Sequence, residues 1–214
     1  MRPILFAAFA TTTLTALPGF AATPAEVMTT YADIAEATYA DSLTTAQALQ
    51  VAVDAFIAAP SEDTLQAARV AWLAARVPYQ QSEAYRFGNP MVDDWEGRVN
   101  AWPLDEGLID YVDESYGESE ENPLSGLNVI ATPKFTLSGK EIDAAQITPV
   151  LLSTTLQEAN GIEANVATGY HAVEFMLWGQ DLNGTDAGAG IRPYTDFVQG
   201  EGCTHGNCDR RAAY

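Results

Sequence analysis

The 214-residue chain carries 29 acidic against 10 basic residues, a formal charge of −19, and is 47% hydrophobic. That hydrophobic content is enough for a packed core and excludes disorder as the global state, while the length fits one domain, or one and part of another. The charge excludes nucleic acid and anionic membrane as partners, because both would be repelled.

The chain opens MRPILFAAFATTTLTALPGFAA. Arg2 supplies a short positive start, Ile4 to Ala10 an apolar run, and Pro18-Gly19 a break before small residues. This is the pattern of a secretory signal cleaved near Ala21 or Ala22, so residues 1–22 are assigned to it. The run is too short and too Thr-rich to span a bilayer. The mature chain is therefore expected to be periplasmic or secreted.

Thr23-Pro24-Ala25-Glu26 has the cap, proline and acid of a helix start, and predicts a long Ala-rich helix to about Ala59, stopped by Pro60. Ser61 with Glu62 and Asp63 opens a second helix, which runs to about Phe87 and should kink at Pro78. Residues 89–145 mix Trp, Pro, Gly and acids; they read as short helices in structured loops, with LDEGLIDYV the best helical segment. A small hairpin is expected around Ser138-Gly139. Thr148-Pro149 opens another helix that continues or restarts past Gly161 and runs to Trp178, where Gly179 stops it. A Gly-rich loop follows, and DRRAAY reads as the first turn of a further helix. The fold class is all-α, an up-down bundle of antiparallel helices with a possible hairpin in a long loop.

Cys203 and Cys208 are near enough in sequence to pair, with Gly206 and Asn207 to turn the chain. In an oxidising compartment a local disulfide is the favoured reading; a metal knuckle with His205 is the sharper alternative.

The stretch GYHAVEFMLWGQD concentrates chemistry. His171, Glu174, Trp178 and Asp181 fall at i, i+3, i+7 and i+10, one stripe of a helix. A His and a Glu one turn apart can ligate a transition metal such as iron or zinc. Read alone, the pair is also what a satisfied core histidine looks like. Gly169 costs helix stability and is tolerated where another backbone or a ligand comes close. On the second helix Arg69, Trp72, Arg76, Tyr79, Glu83 and Arg86 recur at 3- and 4-residue steps. Buried charges there need partners; Arg69 and Arg86 fit the surface best.

GYHAVEFMLWGQD, with the preceding EANVATG, the helix AWLAARVPYQQSEAYRFG and the patch RVNAWPLDEGLIDY, resembles the imelysin family of secreted or periplasmic bacterial proteins, whose signature is Gly-x-His-x-x-Glu. The resemblance implies a two-lobed all-α fold, of which residues 23–214 would supply the first lobe, with the second missing. It implies a metallopeptidase classification and a link to iron uptake, hence membrane or periplasmic iron-uptake components as partners. Carried over by position, the signature residues are Gly169, His171 and Glu174. Glu83 is assigned as the additional carboxylate ligand, with Arg76, Tyr79, Asp105 and Asp181 in support. Three functions follow: a periplasmic protein binding iron, or zinc, through His171, Glu174 and Glu83; a metallopeptidase; or a metal-free interaction module.

Overall fold

The structure, a computed structural model, describes residues 21–117 and 119–214. The predicted signal peptide, apart from Ala21 and Ala22, lies outside the described residues. The chain divides after Ile34 into two units. In the first, helix α1 (Pro24–Ala58) begins at a reciprocal cap. The Thr23 backbone N–H donates to Glu26 Oε2 (2.7 Å), and the Glu26 N–H donates back to Thr23 Oγ1 (3.3 Å). Two otherwise orphaned helix donors are thereby satisfied.

The second unit, Ala35–Tyr214, holds everything else. Helix α2 (Glu62–Gln81) starts at a second capping box between Ser61 and Thr64. Its buried residues Leu65, Ala68, Trp72, Ala75 and Tyr79 recur at helical spacing and make one apolar face. Pro78 sits in the last turn, and the helix passes into a 3₁₀ turn at Ser82–Tyr85. Helix α3 (Pro90–Val99) and the single turn α4 (Glu106–Ile109) follow.

The hairpin forms where it was expected. Strands β1 (Lys134–Leu137) and β2 (Lys140–Asp143) pair antiparallel, Leu137 opposite Lys140. Ser138 and Gly139 both have positive φ, 50° and 77°, as a tight two-residue turn between right-twisted strands requires.

The helix expected from Thr148 does not run through. A π-helical turn spans Leu151–Leu156, and the backbone then breaks at Glu158 and Asn160, whose φ values of 54° and 60° are left-handed. Tertiary hydrogen bonds outweigh helix continuation there. The wholly buried Asn165 donates its amide to Ala159 O (2.8 Å), and its carbonyl accepts from Glu158 N (2.8 Å). The chain restarts as α5 (Tyr170–Trp178), and α6 (Cys208–Ala213) completes the described chain.

The main core joins Leu49 and Phe56 of α1, the apolar face of α2, and Tyr170, Phe175 and Leu177 of α5. A second cluster gathers Phe135 of the hairpin, Leu151, Leu156 and Leu108, and Tyr214 packs against both. Among the described residues no helix is long and apolar enough to cross a membrane.

Candidate functional site

Helix α5 is held at both ends by α2. Trp72 Nε1 donates to Tyr170 O (2.9 Å) at its start, and Arg69 donates twice to Leu177 O (2.9 and 3.2 Å) at its end. Because the lower-numbered α2 residue meets the higher-numbered α5 residue, the two helices run antiparallel. Arg69, expected at the surface, is thus partly buried and caps α5, a usual place for a cation. The start of α5 is also pinned to α3. Gly169 has φ of 91°, and a Cβ there would lie 2.5 Å from Val99 O. Only glycine fits both the dihedral and the approach.

This frame presents the predicted stripe to one cavity. His171 Nδ1 and Glu174 Oε2 lie 3.0 Å apart, and a neutral imidazole donating from Nδ1 to this carboxylate keeps its Nε2 as an acceptor. Trp102 lies across the imidazole, ring centroids 4.8 Å apart. The cavity measures about 820 Å³. Its walls include Trp72, Trp102 and Trp178, and its carboxylates come from Glu106, Glu174 and Asp181. Asp181 lies beyond the Gly179 stop, where its Oδ1 accepts from Asn183 N (2.8 Å). Burial pushes Glu106 up to about 7; Arg192 opposes this, and repulsion from Asp181 and Glu174 adds to it.

Glu106 was not among the residues chosen from the sequence; its neighbour Asp105 was. Asp105 turns the other way, accepting from Tyr116 OH (3.1 Å) and from the amide of buried Asn122, so it braces the loop before α4. The pair of adjacent acids in LDEGL marked the place, but which of them faces the cavity was settled by the bonds of Asp105 to Tyr116 and Asn122.

Arg76 and Tyr79 stand behind the cavity. The Arg76 guanidinium lies over the rings of Tyr170 (5.0 Å), Tyr79 (5.4 Å) and Trp72 (5.6 Å) and donates to Asn100 Oδ1. Burial, reinforced by Glu96, raises Tyr79 to about 12, so it stays a neutral phenol. Glu83 is not brought to the cavity, which corrects its assignment as a ligand facing His171. It sits in the exposed 3₁₀ turn after α2 and pairs with Arg86 (3.4 Å), because the change of helix type past Pro78 takes it off the α2 face.

The donor set decides how a metal would fit. Among the described residues no group of three or more His, Cys, Asp or Glu side chains converges as a metal cage. The cavity offers His171 Nε2 and part of Glu174, whose other oxygen is already engaged. A closed structural zinc site takes four ligands and a catalytic one three. These residues therefore do not fit a resident metal centre held by this chain alone.

A second charged cluster lies at the chain's end, and sequence reasoning missed it. Arg211 grips Asp110 with two bonds, Nε to Oδ2 (2.6 Å) and Nη2 to Oδ1 (3.0 Å). Arg192 Nη1 joins Asp110 (2.6 Å) to Asp196 (3.3 Å), and all four side chains are buried. Asp196 also accepts from Tyr111 OH (2.6 Å), Thr204 (2.7 Å) and His205 Nδ1 (2.5 Å). Burial alone would raise Asp196, but these bonds prevail and hold it below the ordinary range. Cys203 and Cys208 form a disulfide (2.03 Å) that closes the loop carrying His205, so the metal-knuckle alternative falls: neither sulfur is a thiolate.

An antiparallel helical frame, a glycine-pinned helix and a His-x-x-Glu pair facing an open cavity define a helical domain built around the Gly-x-His-x-x-Glu signature. The chain belongs to the imelysin family, whose model matches residues 35–213. It is also similar to Iron-regulated protein A of Synechococcus elongatus, 25% identical over 114 residues. That match covers 53% of this chain and 32% of the relative's length, so the chain spans about a third of the relative it matches.

Proposed function

We propose that this chain is a periplasmic imelysin-family protein of iron uptake, and that the cavity beside α5 receives the metal. The observation that carries this reading is the His171–Glu174 pair at the mouth of an 820 Å³ cavity. A carboxylate on Nδ1 fixes the imidazole tautomer and aims Nε2, the arrangement by which outer carboxylates orient metal-binding histidines. The similarity to Iron-regulated protein A favours iron over zinc. Two donors suit a metal that arrives with some of its own ligands and leaves again, a transfer rather than a storage site. Iron-uptake components of the periplasm or membrane are the proposed partners.

Calorimetric titration with ferrous, ferric and zinc ions tests it. Wild type is expected to bind an iron ion with 1:1 stoichiometry, and His171→Ala to lose that binding while keeping its fold. Equal binding by both proteins, or none by wild type, ends this reading. The metallopeptidase alternative draws on the peptidase name of the matching family model, whereas three ligands and a separate base do not converge among the described residues.

A further inference from the structure

The cavity holds more recognition chemistry than a two-donor metal site uses. Three carboxylates line it, and among the described residues no lysine or arginine does. The Glu106 side chain accepts no hydrogen bond and makes no ion pair among the described residues, although it is partly buried. A partly buried acid without a protein partner is open to pairing with a ligand cation. Beside it stands Trp102, 68% exposed, with one ring face on His171. Several other aromatic faces in the described chain are taken by cations. Arg69 lies over Trp178 (5.5 Å), Arg76 over Trp72 and Tyr170, and Arg192 over Tyr111 (4.9 Å) and Phe175 (5.2 Å). Trp102 has the same pairing chemistry, and no cation of the described residues lies over it.

We propose that the cavity, through Trp102, Glu106 and Asp181 of its lining, holds a binding subsite for a small organic cation, one bearing a protonated amine or guanidine on an apolar body. This rests on the reading of the cavity as the functional site, but not on its metal. A metal site held wholly by this chain needs three or four converging donors, and no such group forms among the described residues. An organic cation spreads its charge over several atoms, so carboxylates on separate elements, Glu106 on α4 and Asp181 past α5, can each reach it. Its apolar body packs on tryptophan, where desolvation strengthens the attraction between cation and ring face. A cavity of this volume also suits a small molecule rather than an ion.

The test uses agmatine, which carries both an ammonium and a guanidinium, titrated into the protein at physiological salt with EDTA present. Calorimetry and tryptophan fluorescence are the readouts. Saturable 1:1 binding is expected, weakened about tenfold by Glu106→Gln, the worth of one charge-assisted hydrogen bond. Trp102→Ala should weaken it about threefold, the worth of one exposed cation–π contact. Glu106→Gln is isosteric and Trp102 is exposed, so both variants should keep the wild-type far-UV circular dichroism. Non-saturable binding that both variants retain would mean attraction to the acidic surface alone and would overturn the proposal; so would a complete absence of binding. Because chelator is present, these outcomes are separate from the iron titration, and either reading can fail without the other.

Discussion

Two regions of the molecule gather charge in opposite ways. Around Asp110, Arg192, Asp196 and Arg211, acids and bases are matched and buried, and the disulfide loop closes over them. Around His171 the acids outnumber the bases, the cavity is open, and Glu106 has no ion-pair partner among the described residues. Burying a charge is tolerable when its partner is buried with it, so the first region reads as architecture. The second keeps its carboxylates at an open cavity. Phe175 separates the two: its ring lies under the Arg192 guanidinium and also lines the cavity.

The largest effect should come from breaking the closed region. Arg211→Ala leaves Asp110 buried with half its partners gone, and is expected to cost about 3–5 kcal/mol in urea unfolding. His171→Ala, by contrast, removes one contact to the partly exposed Glu174 and should cost clearly less, about 1 kcal/mol. If the two variants cost the same, the distinction between architecture and site fails.

Next in size is Gly169→Ala. The new methyl meets the Val99 carbonyl, and alanine is strained at φ of 91°. A loss of at least about 2 kcal/mol is expected. Because α3 must retreat to make room, the Trp102 fluorescence should shift as well. A variant as stable as wild type would mean that the start of α5 is not pinned.

The smallest effect has the opposite sign. Glu106 titrates near 7 in the folded chain, against 4.5 for an ordinary glutamate. Between those values the folded state holds more protons than the unfolded, so this residue's contribution to stability falls as pH rises through the window and is level above it. Glu106→Gln should therefore melt a few degrees higher than wild type at pH 8 and no higher at pH 4. A difference independent of pH would show that Glu106 is not withdrawn from water.

Much of this was legible in the chain. Capping residues placed the starts of α1 and α2, because a side chain that satisfies a helix end acts within three residues. The Ser138-Gly139 turn and the Cys203–Cys208 pair were equally local. The i, i+3, i+7 and i+10 spacing brought His171, Glu174, Trp178 and Asp181 to one cavity, although Asp181 arrives from the loop beyond Gly179. Glu83 shows the limit: periodicity kept it on the α2 face, whereas the helix changes type after Pro78. The break at Glu158 was beyond periodicity too, because it depends on Asn165, whose amide bonds form only once the loop has folded back.

Local rules acting over a few residues thus determined the helices, their caps, the turn, the disulfide and the signature pair. The tertiary structure alone decided which acid of Asp105 and Glu106 faces the cavity, that Arg69 caps α5 from 108 residues away, and that Asp110 meets Arg211 across 101. Long-range contacts of that kind depend on which elements share a core, and neither spacing nor composition encodes that.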